Sequence, residues 1–229
     1  MFEAQCVVEF RNVDSSSRSQ IQEKLLEISK SNQLYSVELV DLLEQYVTEQ
    51  VENSWIDIDA NFTLLRLYLI YNDRVNASHC LKILIKSLMV APESHFVGTV
   101  SLLPASIREN EDIRAVTQAG FLLKACRFEE FWASNLDFAQ EIQGFHDAIR
   151  YYIKSVVQTS HSRIRLPVLR KMLNVSEKEM QALVSAENWT CEDDLIRFPG
   201  NGENQMRPKR FHEKIECEDV FKVIYTVVK

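Results

Sequence analysis

The stretch from Asp57 to Tyr71, DIDANFTLLRLYLIY, constrains the fold more than any other part of the chain. From Phe62 onward only Thr63 and Arg66 interrupt a run of apolar and aromatic residues. Asp57 and Asp59 stand where a helix needs acceptors for its orphan N–H groups, and a carboxylate there also suits the positive helix end. The segment reads as a capped helix, apolar nearly all round, and such a helix needs other helices packed on most of its sides. It is too short to cross a bilayer, which takes roughly 20 apolar residues. As a catalytic pair the two aspartates fail, because residues two apart on a helix point away from each other.

The same helical grammar continues on both sides. Residues 1–16 form an N-terminal lead, open to either a short strand or a flexible segment. Ile21, Leu25 and Ile28 recur at helical spacing from Ser17 to about Ser31. Ser36 caps a second helix with Val40, Leu43, Val47 and Val51 on one face. After Asn76 comes a helix with Leu81, Leu84, Ile85 and Leu88 inward and Lys82 and Lys86 outward, stopped by Pro92. Another helix covers residues 94–103, and Ser106 with Glu109 offers a capping box for the next. That helix carries Ile113, Val116, Gly120 and Leu123 in one stripe. Gly120 costs about 1 kcal/mol of helix propensity, which a close helix crossing explains. Phe128, Phe131 and Trp132 then form an aromatic trio, read as core rather than as a ligand box. Helix after helix joined by short turns predicts stacked antiparallel pairs, a degenerate HEAT-like repeat over residues 17–143.

At Gly144 a new unit begins. Phe145, Ala148, Ile149, Tyr152, Ile153, Val156 and Val157 make a clean seam, with Asp147, Arg150 and Lys154 outside it. A short helix over Leu166–Leu173 opens with Pro167, and Ser176 with Glu179 caps a third that ends near Trp189. Strand candidates follow at Leu195–Phe198 and Arg210–Ile215, separated by the loop Pro199–Met206 whose tip is Gly200-Asn201-Gly202. Three helices with a strand–loop–strand wing over residues 144–215 predict a winged helix. Residues 216–229 form a tail in which Val220, Phe221, Ile224 and Val228 suit a helix while the β-branched content favours a strand. The fold class is thus mainly α: a HEAT-like N-terminal region followed by a winged helix.

Charge and chemistry narrow the function. The net charge of -7 argues against a dedicated nucleic-acid binder, and the acidity lies early, with 14 Lys and Arg against 22 Asp and Glu up to Gln158. In a DNA-reading winged helix the third helix enters the groove, yet here it carries Glu177, Glu179 and Glu187 against Lys178. Arg207, Lys209 and Arg210 are the residues placed to touch an RNA backbone. Cys6, Cys80, Cys126, Cys191 and Cys217 are odd in number with no CxxC, which suggests buried reduced thiols rather than zinc or disulfides. The five histidines show no metal-ligand spacing, Ser160-His161 lacks an elbow and an orienting acid, and no catalytic constellation or cofactor is indicated. No secretory leader or membrane span is read, so cytoplasm, or movement between cytoplasm and nucleus, is expected.

A helical solenoid running into a winged helix is the plan of the PCI-domain family. Within that family the chain resembles the subunit K group of eukaryotic translation initiation factor 3. The resemblance is carried by Tyr46-Val47, Asp57-Ile58-Asp59-Ala60-Asn61, Leu65-Arg66-Leu67-Tyr68, and Phe128 with Phe131-Trp132. It continues through Gly144-Phe145, Asp147, Val156-Val157, Arg207-Pro208-Lys209 and Glu213-Lys214-Ile215. It implies a helical tail and a non-catalytic scaffold subunit that helps assemble the initiation complex on the small ribosomal subunit. It also implies subunit L as main partner, other PCI subunits nearby, and no membrane or DNA partner. Phe221, Ile224 and Tyr225 are the candidate partner contacts. Two alternatives remain: a homologous PCI subunit of the proteasome lid or signalosome, and a winged-helix nucleic-acid binder.

Overall fold

Ser19, Asp57, Asn76, Asn110 and Ser176 each cap the start of a helix with a side-chain oxygen. A computed structural model describes residues 6–13, 18–31, 34–92, 95–134, 136, 139, 142–205 and 216–227. Strand β1 (Cys6–Val7) precedes α1 (Gln20–Lys30), which starts at a capping box between Ser19 and Gln22. Ser17, the expected start, lies outside the described residues. Then come α2 (Glu38–Glu52), β2 (Trp55–Ile56), α3 (Ile58–Ile70) and α4 (Ala77–Met89). These are followed by α5 (His95–Leu102), α6 (Glu111–Lys124) and α7 (Phe128–Ala133). The chain is mainly helical.

Asp57 caps α3 as its position predicts, its Oδ1 accepting from the Ala60 amide at 3.0 Å. Ala60, Leu64, Leu65, Leu67 and Tyr68 are buried, while Leu69 and Ile70 at the C-terminal end stay exposed. The lead is tied to the same cap. β1 pairs in parallel with β2, and the Phe10 amide donates to Asp57 Oδ2 at 2.8 Å. The expected capping box at Ser106 and Glu109 does not form. Ser106 sits in a 3-10 turn, Ala105–Ile107, and its hydroxyl donates to Asn72 Oδ1. Asn110 caps α6 instead, accepting from the amides of Asp112 and Ile113.

Helix α4 lies at the centre, packed against α2, α3, α5, α6 and α8 (Phe145–Ser160). This corrects the outward placement of Lys86, which is only 1% exposed. With neighbours on every side the helix has no free face there, and the long aliphatic stem packs as an apolar residue does. Beside it the Phe96 ring of α5 lies over Gly120 of α6. A methyl group on Gly120 would stand 2.1 Å from Cζ of Phe96, so only glycine admits that ring.

Past Gly144, whose φ of 79° suits glycine, α8 leads into β3 (Arg163–Arg165), α9 (Leu166–Leu173) and α10 (Glu177–Ala186). A hairpin of β4 (Thr190–Glu192) and β5 (Leu195–Arg197) completes an antiparallel sheet in the order β3-β5-β4. Its tip is Asp193-Asp194, both at positive φ (44° and 65°), and not Gly200-Asn201-Gly202. Asn201 and Asn204 instead donate to the Gln158 carbonyl and hold their loop against the end of α8. The strand candidate at 210–215 lies outside the described residues. Trp132 ties the two halves together, its indole donating to the Met172 carbonyl at 2.8 Å. The last element is α11 (Cys217–Val227).

Candidate interaction surface

Among the described α-helices, α11 differs from the others in having no buried residue. Phe221 is 63% exposed, Ile224 50% and Tyr225 76%, with Val220, Val223 and Val227 exposed beside them. At about 100° per residue these side chains fall on one arc centred on Ile224, with Phe221 and Val220 on either side of it. Tyr225 and Val223 mark the arc's two edges. Glu218, Asp219, Lys222 and Thr226 occupy the opposite side, where Lys222 pairs with Asp219 at 3.4 Å. The structure therefore brings the three expected contact residues together on one helix. Val223 and Val227, not singled out from the sequence, belong to the same arc by the same period; Val228 lies outside the described residues.

An isolated helix of 11 residues is marginal in water, and Val, Ile, Tyr, Phe and Thr are among the weaker helix formers. Covering the arc supplies what is missing, since each large apolar side chain contributes about 1.5–3 kcal/mol on full burial. The apolar arc of α11 is thus left without cover among the described residues.

The remaining chemistry is structural. Arg207, Lys209 and Arg210 lie outside the described residues. Glu179 accepts from the Ser176 amide in the α10 capping box, which holds its carboxyl below the usual range. Glu187 pairs with Lys154 at 2.6 Å. Lys154 is therefore buried against α10 and not outside the seam, because the α8 face it occupies is covered. His79 and His146 are pushed below the ordinary histidine value by burial, and His146 stacks on Trp132. Ser160 donates to the Val156 carbonyl of its own helix as well as meeting His161 Nδ1. Among the described residues no group of three His, Cys, Asp or Glu side chains is placed to hold a metal ion. Cys80 alone of the cysteines is buried, and burial pushes its thiol up to about 12. Cys6, Cys126, Cys191 and Cys217 are exposed and free, which corrects the expectation of buried thiols. They lie on short strands and at helix ends, where the chain has no second layer over it. No helix among the described residues is long and apolar enough to cross a membrane.

Comparison with known proteins agrees with this architecture. A sequence model described as the CSN8/PSMD8/EIF3K family matches residues 74–210. The chain is 30% identical over 196 residues to eukaryotic translation initiation factor 3 subunit K of Danio rerio, covering 84% of this chain and 90% of that one. It is 28% identical over 194 residues to the Homo sapiens subunit K, covering 83% and 89% of the two chains. The Pyricularia oryzae (strain Y34) subunit K is 28% identical over 202 residues, covering 83% and 86%.

Proposed function

The chain belongs to the CSN8/PSMD8/EIF3K family, and from that premise we propose that it is a non-catalytic docking subunit of eukaryotic translation initiation factor 3. In this reading residues 17–143 form a HEAT-like scaffold and residues 144–215 a winged helix, between the lead 1–16 and the docking tail 216–229. Subunit L is the main partner, other PCI subunits lie nearby, and the small ribosomal subunit is reached through the complex in the cytoplasm. The observation that carries the proposal is the apolar arc of α11, exposed along its whole length. An amphipathic helix with no cover among the described residues of its own chain fits a bundle of helices contributed by several subunits. Protein rather than nucleic acid is favoured because Glu177 and Glu179 open α10, the helix that would otherwise meet phosphates. A permanent interface built around this helix and the adjoining sheet should bury more than about 2,000 Å².

The test is affinity purification of the full-length chain, unmodified and as Ile224→Asp, with mass spectrometry of what accompanies each. The unmodified chain should recover initiation factor 3 subunits, with subunit L foremost. Ile224→Asp should lose them with little change in melting temperature, since Ile224 is half exposed and lies outside the hydrophobic core. Recovery of proteasome-lid or signalosome subunits would move the chain to another branch of the family. Unchanged recovery by the variant would remove α11 from the interface.

A further inference from the structure

Helices α5 and α6 leave a furrow open to solvent, with a cavity of about 340 Å³. Val100, Leu103 and Ile113 form its apolar floor, Thr117 lies along its wall, and Phe121 closes one end. Phe121 is 49% exposed although its ring meets Phe96 edge-on. From Ile113 to Phe121 the furrow follows α6 for roughly 12 Å, the length of about two helical turns. A third helix laid there with anchors at i, i+3 or i+4, and i+7 would fill it, because ridges of one helix seat in the furrow between two others.

The rim carries the information about charge. Arg108 is fixed at one end, its Nε donating to the Leu103 carbonyl at 3.0 Å and its Nη2 to the Ser101 carbonyl at 3.4 Å. Two of its five donors are thereby used and the rest remain available. Arg114 lines the same furrow and makes no ion pair among the described residues. Two guanidinium groups beside an apolar floor stand out in the part of the chain that holds most of its acidity. Glu111 and Asp112 occupy the first turn of α6, where they suit the helix dipole, and neither lines the furrow.

We propose that the α5–α6 furrow is a second docking site, and that its occupant is an amphipathic helix from a sister subunit with acidic residues flanking its apolar anchors. The assignment rests on the docking reading above but uses a different surface from α11. Phe121 and the Leu103–Ile113 floor receive the anchors; Arg108 and Arg114 receive the carboxylates. Two cations 6 positions apart in sequence, one at the furrow end and one on its wall, set the register of the incoming helix.

The test places a photo-crosslinking amino acid at Thr117 of the full-length chain within the purified native assembly. The crosslinked segment should come from another subunit, show apolar residues at helical spacing, and carry at least two Asp or Glu beside them. Arg114→Glu should lower the crosslink yield about tenfold while the chain still enters the assembly through α11 and melts at the same temperature. Crosslinks only within the chain, to RNA, to a second copy of this chain or to a segment without flanking acids would overturn the proposal. So would a yield indifferent to Arg114→Glu. Failure of the docking reading itself looks different: the labelled chain would then not enter the assembly at all.

Discussion

Replacing Asp57 by alanine should destabilise the protein more than any other single change at a helix start. Its carboxylate is fully buried and has three donors: the amides of Ala60 at 3.0 Å and Phe10 at 2.8 Å, and the Tyr46 hydroxyl at 3.1 Å. Tyr46 in turn accepts from the Gln22 side chain at 3.2 Å, so the lead, α1, α2 and α3 meet at one residue. Loss of the cap costs about 1 kcal/mol. The Phe10 amide and the Tyr46 hydroxyl are left buried without an acceptor, at about 1–3 kcal/mol each. Against this, alanine relieves the cost of holding a carboxylate away from water. That cost is real, because burial pushes the Asp57 carboxyl above its ordinary value of 3.8 despite the three donors. The balance is a loss of about 2–5 kcal/mol, or roughly 5–20 °C in melting temperature for a chain of this size.

The assay is thermal unfolding together with hydrogen exchange at the Phe10 amide, which should lose its protection in Asp57→Ala. The pH dependence has a definite sign. A carboxyl raised above its unfolded value takes up its proton in the native state first, so Asp57 contributes more to stability as pH falls from neutrality toward about 3.8. The gap between the unmodified protein and Asp57→Ala should therefore be wider at pH 4 than at pH 7. A loss below about 1 kcal/mol, or a large loss with Phe10 still protected, would refute the idea that this carboxylate anchors the lead.

Two further changes test the packing around α4. Gly120→Ala gains about 1 kcal/mol of helix propensity but puts a methyl 2.1 Å from the Phe96 ring, and overpacking costs about 1–3 kcal/mol. Chemical denaturation should show a net loss, and the same substitution made in a Phe96→Ala background should become stabilising; absence of that sign change in the double-mutant cycle would exclude the ring as the cause. Among the described residues Lys86 has no hydrogen-bond partner for its buried Nζ, and burial pushes it down to about 8 from 10.5. Lys86→Met should raise stability by about 1–3 kcal/mol at pH 7. The native lysine gives up its proton before the unfolded chain does, so the unmodified protein recovers stability between about pH 8 and 10.5 and the advantage of methionine should shrink at pH 10. An advantage that is absent at pH 7, or that grows with pH, would contradict a buried unpaired amine.

What was legible in the sequence depended on how local its cause was. The Asp57 cap, the Ser176–Glu179 box and the close approach at Gly120 each follow from residues within one turn, or from one residue type that permits only one geometry. The polar cluster under α3 does not. Gln50 accepts from the Asp57 amide and exchanges two hydrogen bonds with Asn61, across 7 and 11 positions. Amide side chains on a helix face carry no sign of which distant partner will meet them. Lys86 and Lys154 were placed outward for a related reason: period assigns a side chain to a face, and only the tertiary arrangement decides whether that face is covered. The β4–β5 hairpin was missed because its turn is Asp193-Asp194 and not a glycine pair. Aspartate is one of the few other residues that tolerates positive φ, so two consecutive aspartates before Leu195-Ile196 were the available signal.

The apolar arc of α11 was legible for the opposite reason: its period needs no partner elsewhere in the chain to be seen. An apolar arc at helical period is stabilised by burial, either against its own chain or, in the docking proposed above, against another. The core already has its seam along α8, filled by Phe145, Ile149, Ile153 and Val157, all buried before α11 begins. The β-branched content that left helix and strand both open is itself part of the mechanism. A stretch of weak helix formers holds its shape best when covered, so in the proposed docking the ordering and binding of α11 are coupled, and part of the gross binding energy goes to ordering. That coupling is why the central position matters more than a more exposed one at the edge of the arc. In the proposed interface Ile224, mid-arc, would supply the central apolar contact, whereas Tyr225, 76% exposed, lies at the edge of the arc.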